Sequence, residues 1–157
     1  ESLMILLIIA AAGVFSYMLS SLYITQSIAE WIGTLNVNRW VLMGAVNVFL
    51  LIAGFFLPPV AVILMAAPIL LPIIIIAGFD PIWFAVVLTI NMEIGLISPP
   101  VGLNLYVING IAPEISLRTI LTGSLPFVAC MILAIVLLCI FPGLATWLPD
   151  AVMGTSL

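Results

Sequence analysis

In 157 residues the chain carries two Lys or Arg and six Asp or Glu, giving a net charge of −4, and 66% of it is hydrophobic. Soluble domains use about a quarter charged residues to cover their surface, so a mean hydropathy of +1.52 excludes a water-soluble fold and points to a protein of the lipid bilayer. There is no His, no Cys-x-x-Cys, no glycine-rich phosphate loop and no basic patch. Zinc, nucleotide and nucleic-acid chemistry therefore lose their usual carriers, and neither a cofactor nor a nucleic-acid partner is expected.

The charges leave residues 2–29, 40–79 and 119–149 uncharged. A membrane helix needs about 20 apolar residues, whereas barrel strands are only about 10 residues long and alternate in polarity. The expected fold class is therefore an all-α integral membrane protein. The first run lacks the basic start of a signal peptide. Opening on Glu1 and apolar by Leu3, the chain reads as a piece of a longer protein or a processed one. Residues 3–25 suffice for one span. In "QSIAEWIGTLNVNRW" (26–40), Trp31 and Trp40 flank a polar patch. Trp favours the membrane boundary, so this segment is either interfacial or a plain connecting loop, and residues 1–38 form a first unit.

The run 40–79 is too long for one span, and Pro58-Pro59 divides it. It is either two thin spans joined in water or a re-entrant hairpin. The break, "GFFLPPV", holds no polar side chain, unlike loops that face water, which favours a hairpin over 39–80. Pro68 and Pro72 kink its second arm. "GFDP" returns the chain to an interface, and 81–113 reads as a discontinuous helix interrupted at Ser98-Pro99-Pro100. The last unit, 114–157, is expected to hold an amphipathic connector and a span over 119–148 that ends near Trp147. Cys130 and Cys139, nine positions apart in one apolar run, are more than roughly 10 Å apart on a helix and cannot pair. Arg39 and Arg118 fall on opposite sides, so the positive-inside rule gives no orientation.

Proline has no N–H, so the carbonyl four residues earlier loses its helical donor. Pro99 frees the carbonyl of Gly95 and Pro100 that of Leu96. Pro58 and Pro59 do the same for Gly54 and Phe55. The residue before a proline is driven out of helical geometry, so Ser98 should unwind. Bare carbonyls at membrane depth are costly unless something binds them, and broken-helix transporters hold Na+ with such oxygens. The expected ion ligands are Gly54, Gly95, Leu96, Ser98 and Pro100, with Na+ held chiefly through Gly54, Ser98 and Pro100. Beyond the break, the half-helix starting near Gly102 offers unpaired N–H groups and a positive dipole end that suit a carboxylate. Asn91, Gly95 and Ser98 share one helix face at i, i+4, i+7, and Asn104 follows the break. Asn91, Gly102 and Asn104 are thus expected substrate ligands. Helix packing through small and polar residues is the competing reading of this stripe. Glu93, about 200° around the helix from Asn91, faces away from it, and a structural role is favoured over a proton-carrying one.

"GFFLPPVAVILMAAPILLPIIIIAGFDPIWF" followed by "NMEIGLISPPVGLNLYV", then "LPFV" and "FPGLATWLP", resembles the C-terminal half of the large membrane subunit of TRAP transporters, the DctM-like permeases. Pro99 to Leu105 is its most specific part. The resemblance implies Na+-coupled import of organic acids, mostly carboxylates, across the bacterial inner membrane, and no enzymatic activity. A periplasmic binding protein would deliver the substrate, and a small membrane subunit would accompany the large one. It also implies an elevator mechanism and two inverted repeats, of which this chain supplies one, so that alone it should not transport. Gly54 to Pro59 would form the hairpin tip, entering from the periplasm, and Ser98 to Gly102 the helix break, with Arg118 cytoplasmic. Many relatives carry an acid where this chain has Pro58, which weighs against a carboxylate at that tip, and Thr where it has Ser98, which keeps a hydroxyl. The texture leans towards the C4-dicarboxylate branch. Proton coupling through Glu93 and a non-transporting structural domain are the alternatives. An intramembrane enzyme is weakest, since no His, Ser–Lys pair or acid pair sits at a suitable spacing.

Overall fold

The computed structural model describes residues 2–34, 38–99 and 102–153, and among them every element is a helix. α1 (Ser2–Ser21) and α2 (Ile24–Thr34) meet at Leu22-Tyr23, where Tyr23 takes a positive φ of 56°. α3 (Arg39–Phe56) and α4 (Pro59–Ile76) follow, then α5 (Pro81–Ile97), α6 (Leu103–Ile111), α7 (Leu117–Ile140) and α8 (Gly143–Met153). By length and composition α3, α4 and α7 can each cross a membrane, and Leu6–Ser21 with Ile24–Ile32, bent by 65°, would make a fourth span.

The boundaries follow local chemistry. The Asn38 side chain accepts from the Trp40 N–H at 2.9 Å and so caps α3. α3 stops at Leu57, which is extended at φ −116° and ψ 146° because Pro58 follows. Pro59 then opens α4 at the one position where its missing N–H costs nothing. Asp80 caps α5 by accepting from Ile82 and Trp83 N–H at 2.7 and 2.9 Å, with Pro81 first in the helix. Ser116 caps α7 after a turn over residues 112–116.

Two stretches differ from the sequence reading. In the patch at 26–40, read as interfacial or as a plain loop, the described residues are helical through Thr34, a detail the plain-loop alternative lacks, and α2 packs on α4. The run 119–148, read as one span, is divided at Phe141-Pro142 into α7 and α8. Pro142 cannot donate to α7, and Phe141 before it leaves the helix at φ −124° and ψ 73°.

α5 is the hub: it packs most extensively on α3 and also touches α4, α6, α7 and α8. Leu50, Ile74, Phe84 and Val87 are fully buried around it. Large apolar side chains elsewhere, among them Leu7, Phe49, Ile111 and Phe127, are exposed. Such a surface suits lipid or further protein rather than water. At one end an aromatic stack ties three helices together. Arg39 lies over the rings of Trp40 and Phe79, 5.6 and 5.7 Å from their centroids. Trp40 meets Phe79 edge-on and Phe79 stacks on Trp83, each pair at 5.3 Å. The Trp83 indole N–H then donates to the Leu138 carbonyl at 2.8 Å, satisfying a group in the last turn of α7 that has no helical donor.

Candidate functional site

Gly54 and Gly95 lie in the last turns of α3 and α5, each four residues before a proline. Their backbones touch. A Cβ on Gly95 would stand 2.7 Å from both the carbonyl carbon and the oxygen of Gly54, and 2.9 Å from its Cα. A Cβ on Gly54 would stand 3.6 Å from Gly95 Cα and 3.8 Å from the Asn91 carbonyl oxygen. The Gly54 carbonyl, robbed of its donor by Pro58, is therefore packed against the Gly95 backbone, inside the crossing of two apolar helices.

Beyond Gly95 the helix ends. Ser98 is buried and extended at φ −108° and ψ 147°, and the chain re-enters helix at Leu103. Gly102 sits at φ 54° and ψ 69°, the left-handed region that favours glycine. A Cβ there would stand 3.0 Å from the Ser98 carbonyl oxygen and 2.7 Å from Leu105 Cδ1, so Gly102, on the far side of the break, packs against both. α7 braces it: the Ser124 hydroxyl lies 3.3 Å from the Ile97 carbonyl and 2.8 Å from the Leu121 carbonyl.

Of the residues singled out from sequence, Asn91, Gly95 and Ser98 are all buried, and Gly54 joins them through the backbone contact. Leu96 is half-buried beside them, while Asn104 is exposed on the first turn of α6. Pro100 lies outside the described residues. Asn91 is fully buried; its amide nitrogen donates to the Val87 carbonyl at 3.0 Å and to Asn47 Oδ1. Its own Oδ1 is buried with no partner among the described residues. Glu93 is exposed on the other face of α5.

The residue that sequence reasoning missed is Asn47. Its amide nitrogen donates to the Met43 carbonyl at 2.7 Å while its oxygen accepts from Asn91. A signal was present: Asn47 is the one polar side chain within α3 between Trp40 and Phe56, and it stands two turns before Gly54, on the same face. Among the described residues no three of His, Cys, Asp or Glu gather anywhere. A cation here would be held by neutral carbonyl and hydroxyl oxygens, the donor set of the hard cations.

These features define an all-helical membrane protein in which α3 and α5 meet backbone to backbone just before each is ended by a proline. Residues 1–144 match the family described as "Tripartite ATP-independent periplasmic transporter, DctM component". The chain is 38% identical over 149 residues to the C4-dicarboxylate TRAP transporter large permease protein DctM of Pseudomonas aeruginosa, covering 95% of this chain and 35% of that protein. It is 35% identical to the protein of the same name in Vibrio cholerae, covering 99% and 34%. To the sialic acid TRAP transporter large permease protein SiaM of Vibrio cholerae it is 30% identical, covering 94% and 34%. The chain belongs to the DctM family of TRAP transporter large permeases, a family of transporter components rather than enzymes. It spans about a third of the length of the curated relatives it matches.

Proposed function

We propose that the chain is one inverted-repeat half of an elevator-type permease subunit in the bacterial inner membrane, and that it takes part in Na+-coupled import of a carboxylate. In this reading α3 and α4 form a re-entrant hairpin, and α5 with α6 a discontinuous helix. A periplasmic binding protein hands over the substrate, and a small membrane subunit completes the permease. A C4-dicarboxylate is the favoured cargo, because the relatives of 35–38% identity named above carry that substrate in their names.

The observation that carries the reading is the contact of Gly54 with Gly95, two proline-freed carbonyl positions, beside the buried and unwound Ser98. In this proposal Gly54, Gly95, Leu96 and Ser98 supply oxygens to Na+, together with Pro100. Gly102 and the start of α6 direct N–H groups at the substrate carboxylate, and Asn104, exposed beside them, extends that contact. Asn91 has spent its amide N–H groups, so what it can offer a substrate is its unpaired Oδ1, which suits a hydroxyl rather than a carboxylate.

The test is uptake by the full-length permease, assembled with its small subunit and binding protein in liposomes, as external Na+ is varied. Uptake should rise with Na+, and Ser98→Ala should raise the Na+ half-saturation at least about tenfold, since even losing a group that only orients a ligand costs that much. Uptake indifferent to Na+ would sink the proposal. A second reading, proton coupling, draws on Glu93, a carboxylate exposed on a helix of the apolar bundle. It requires Glu93→Gln to abolish coupling, and normal uptake by that variant removes it.

A further inference from the structure

Glycines allow two helices to approach, but they do not say where along its partner each helix must stop. A smooth backbone contact such as Gly54 on Gly95 can slide. A shift of one residue along a helix is about 1.5 Å, far outside the roughly 0.2 Å within which metal–ligand distances hold. Something else must set the register of α3 against α5.

The Asn47–Asn91 pair has the necessary properties. It joins α3 to α5 by a side-chain hydrogen bond between residues 44 apart in the chain. Asn91 is wholly buried, and the surrounding side chains Met43, Val46, Leu50, Val87 and Met92 are apolar. Among the described residues neither amide hydrogen-bonds any other side chain, so a slip of α3 along α5 would break this bond without replacing it. Each amide is also anchored to its own helix, Asn47 on the Met43 carbonyl at 2.7 Å and Asn91 on the Val87 carbonyl at 3.0 Å, which fixes both rotamers. Asn91 stands one turn before Gly95, and its backbone carbonyl reaches the Gly54 contact itself.

Asn91 Oδ1 sharpens the point. A buried acceptor without a partner destabilises a fold, and Leu would fill the same space with no such group. Across the helix crossing, the contact this amide makes among the described residues is the one through its nitrogen to Asn47.

We propose that Asn47 is a positioning residue: through Asn91 it sets the register of α3 on α5 and thereby the spacing of the Gly54 and Gly95 carbonyls that hold the coupling cation. This rests on the Na+ reading of the site. Asn47 itself touches no ion. Its effect should therefore appear in ion affinity rather than in the maximal rate.

The experiment uses the full-length permease with its small subunit and binding protein in liposomes. Asn47→Leu keeps the shape and removes the hydrogen bond. Its Na+ half-saturation should rise about tenfold, the usual effect of losing a group that orients a ligand, with a maximal rate within about twofold of wild type. Asn47→Asp is the conservative rescue. In its neutral form the carboxylic acid accepts from Asn91 and donates to the Met43 carbonyl just as the amide does. Its half-saturation, divided by that of wild type at the same pH, should fall towards one as pH is lowered.

Na+-driven wild-type uptake with an unchanged half-saturation in Asn47→Leu overturns the inference alone. Wild-type uptake indifferent to Na+ overturns the underlying reading, and the inference with it. If Asn47→Leu does not assemble, Asn47→Asp carries the test, and a ratio to wild type that stays well above one at the lowest pH overturns the positioning role.

Discussion

Gly95→Ala is the substitution whose consequence the geometry states most directly. The added methyl would stand 2.7 Å from two backbone atoms of Gly54, where ordinary contact begins at about 3.4 Å. Backbone cannot rotate away as a flexible side chain can, so α3 and α5 must separate by about 0.7 Å. Overpacking of this kind costs about 1–3 kcal/mol, while replacing a helical Gly by Ala returns up to about 1 kcal/mol in propensity. With that full return the net loss is about 0–2 kcal/mol. Two controls isolate the steric part. Gly123→Ala on α7 meets nothing within 4 Å and should be neutral or stabilising by up to about 1 kcal/mol. Gly54→Ala meets its nearest atom, Met92 Cε, at 3.4 Å, so it should lose far less than Gly95→Ala although it lies across the same contact. Thermal unfolding of the purified full-length permease in detergent, followed by tryptophan fluorescence, gives the three midpoints. The expected order is Gly123→Ala highest, Gly54→Ala next and Gly95→Ala lowest. A Gly95→Ala midpoint at or above that of Gly123→Ala would refute the packing described.

Two other substitutions test the break and the aromatic end. Gly102→Ala places a side chain at a φ of 54°, with its Cβ 2.7 Å from Leu105 Cδ1 and 3.0 Å from the Ser98 carbonyl, and should cost about 1–2 kcal/mol and most of the transport rate; uptake equal to wild type would show that the loop need not close on Ser98. Trp83→Phe preserves the stack on Phe79 but strands the buried Leu138 carbonyl, a loss of about 1–3 kcal/mol, again read as the unfolding midpoint. An unchanged midpoint would mean that the indole N–H contributes nothing to holding α7.

How much of this was legible in the sequence depends on the range of the interaction concerned. Proline acts on its own neighbours, so the ends of α3 and α5, the extended Ser98 and the start of α4 at Pro59 could be read from spacing alone. The end of α7 was equally local, since Pro142 stops it, yet the run to residue 148 was read as continuous because it carries no charge. Asn47 stood out as a lone polar residue on the Gly54 face of α3, but its role depends on a partner 44 residues away that only packing brings to it.

By itself the sequence determined the solvent, the helical class and the positions where backbone oxygens lose their donors. Charge scarcity and the missing N–H of proline are properties of the chain that no packing can alter. Only the tertiary structure decided which of those positions meet. That α3 crosses α5 at Gly54 and Gly95, and that Asn47 reaches Asn91, depends on how two apolar helices mesh. Side chains scattered across both helices set that mesh jointly, and no single stretch of sequence encodes it.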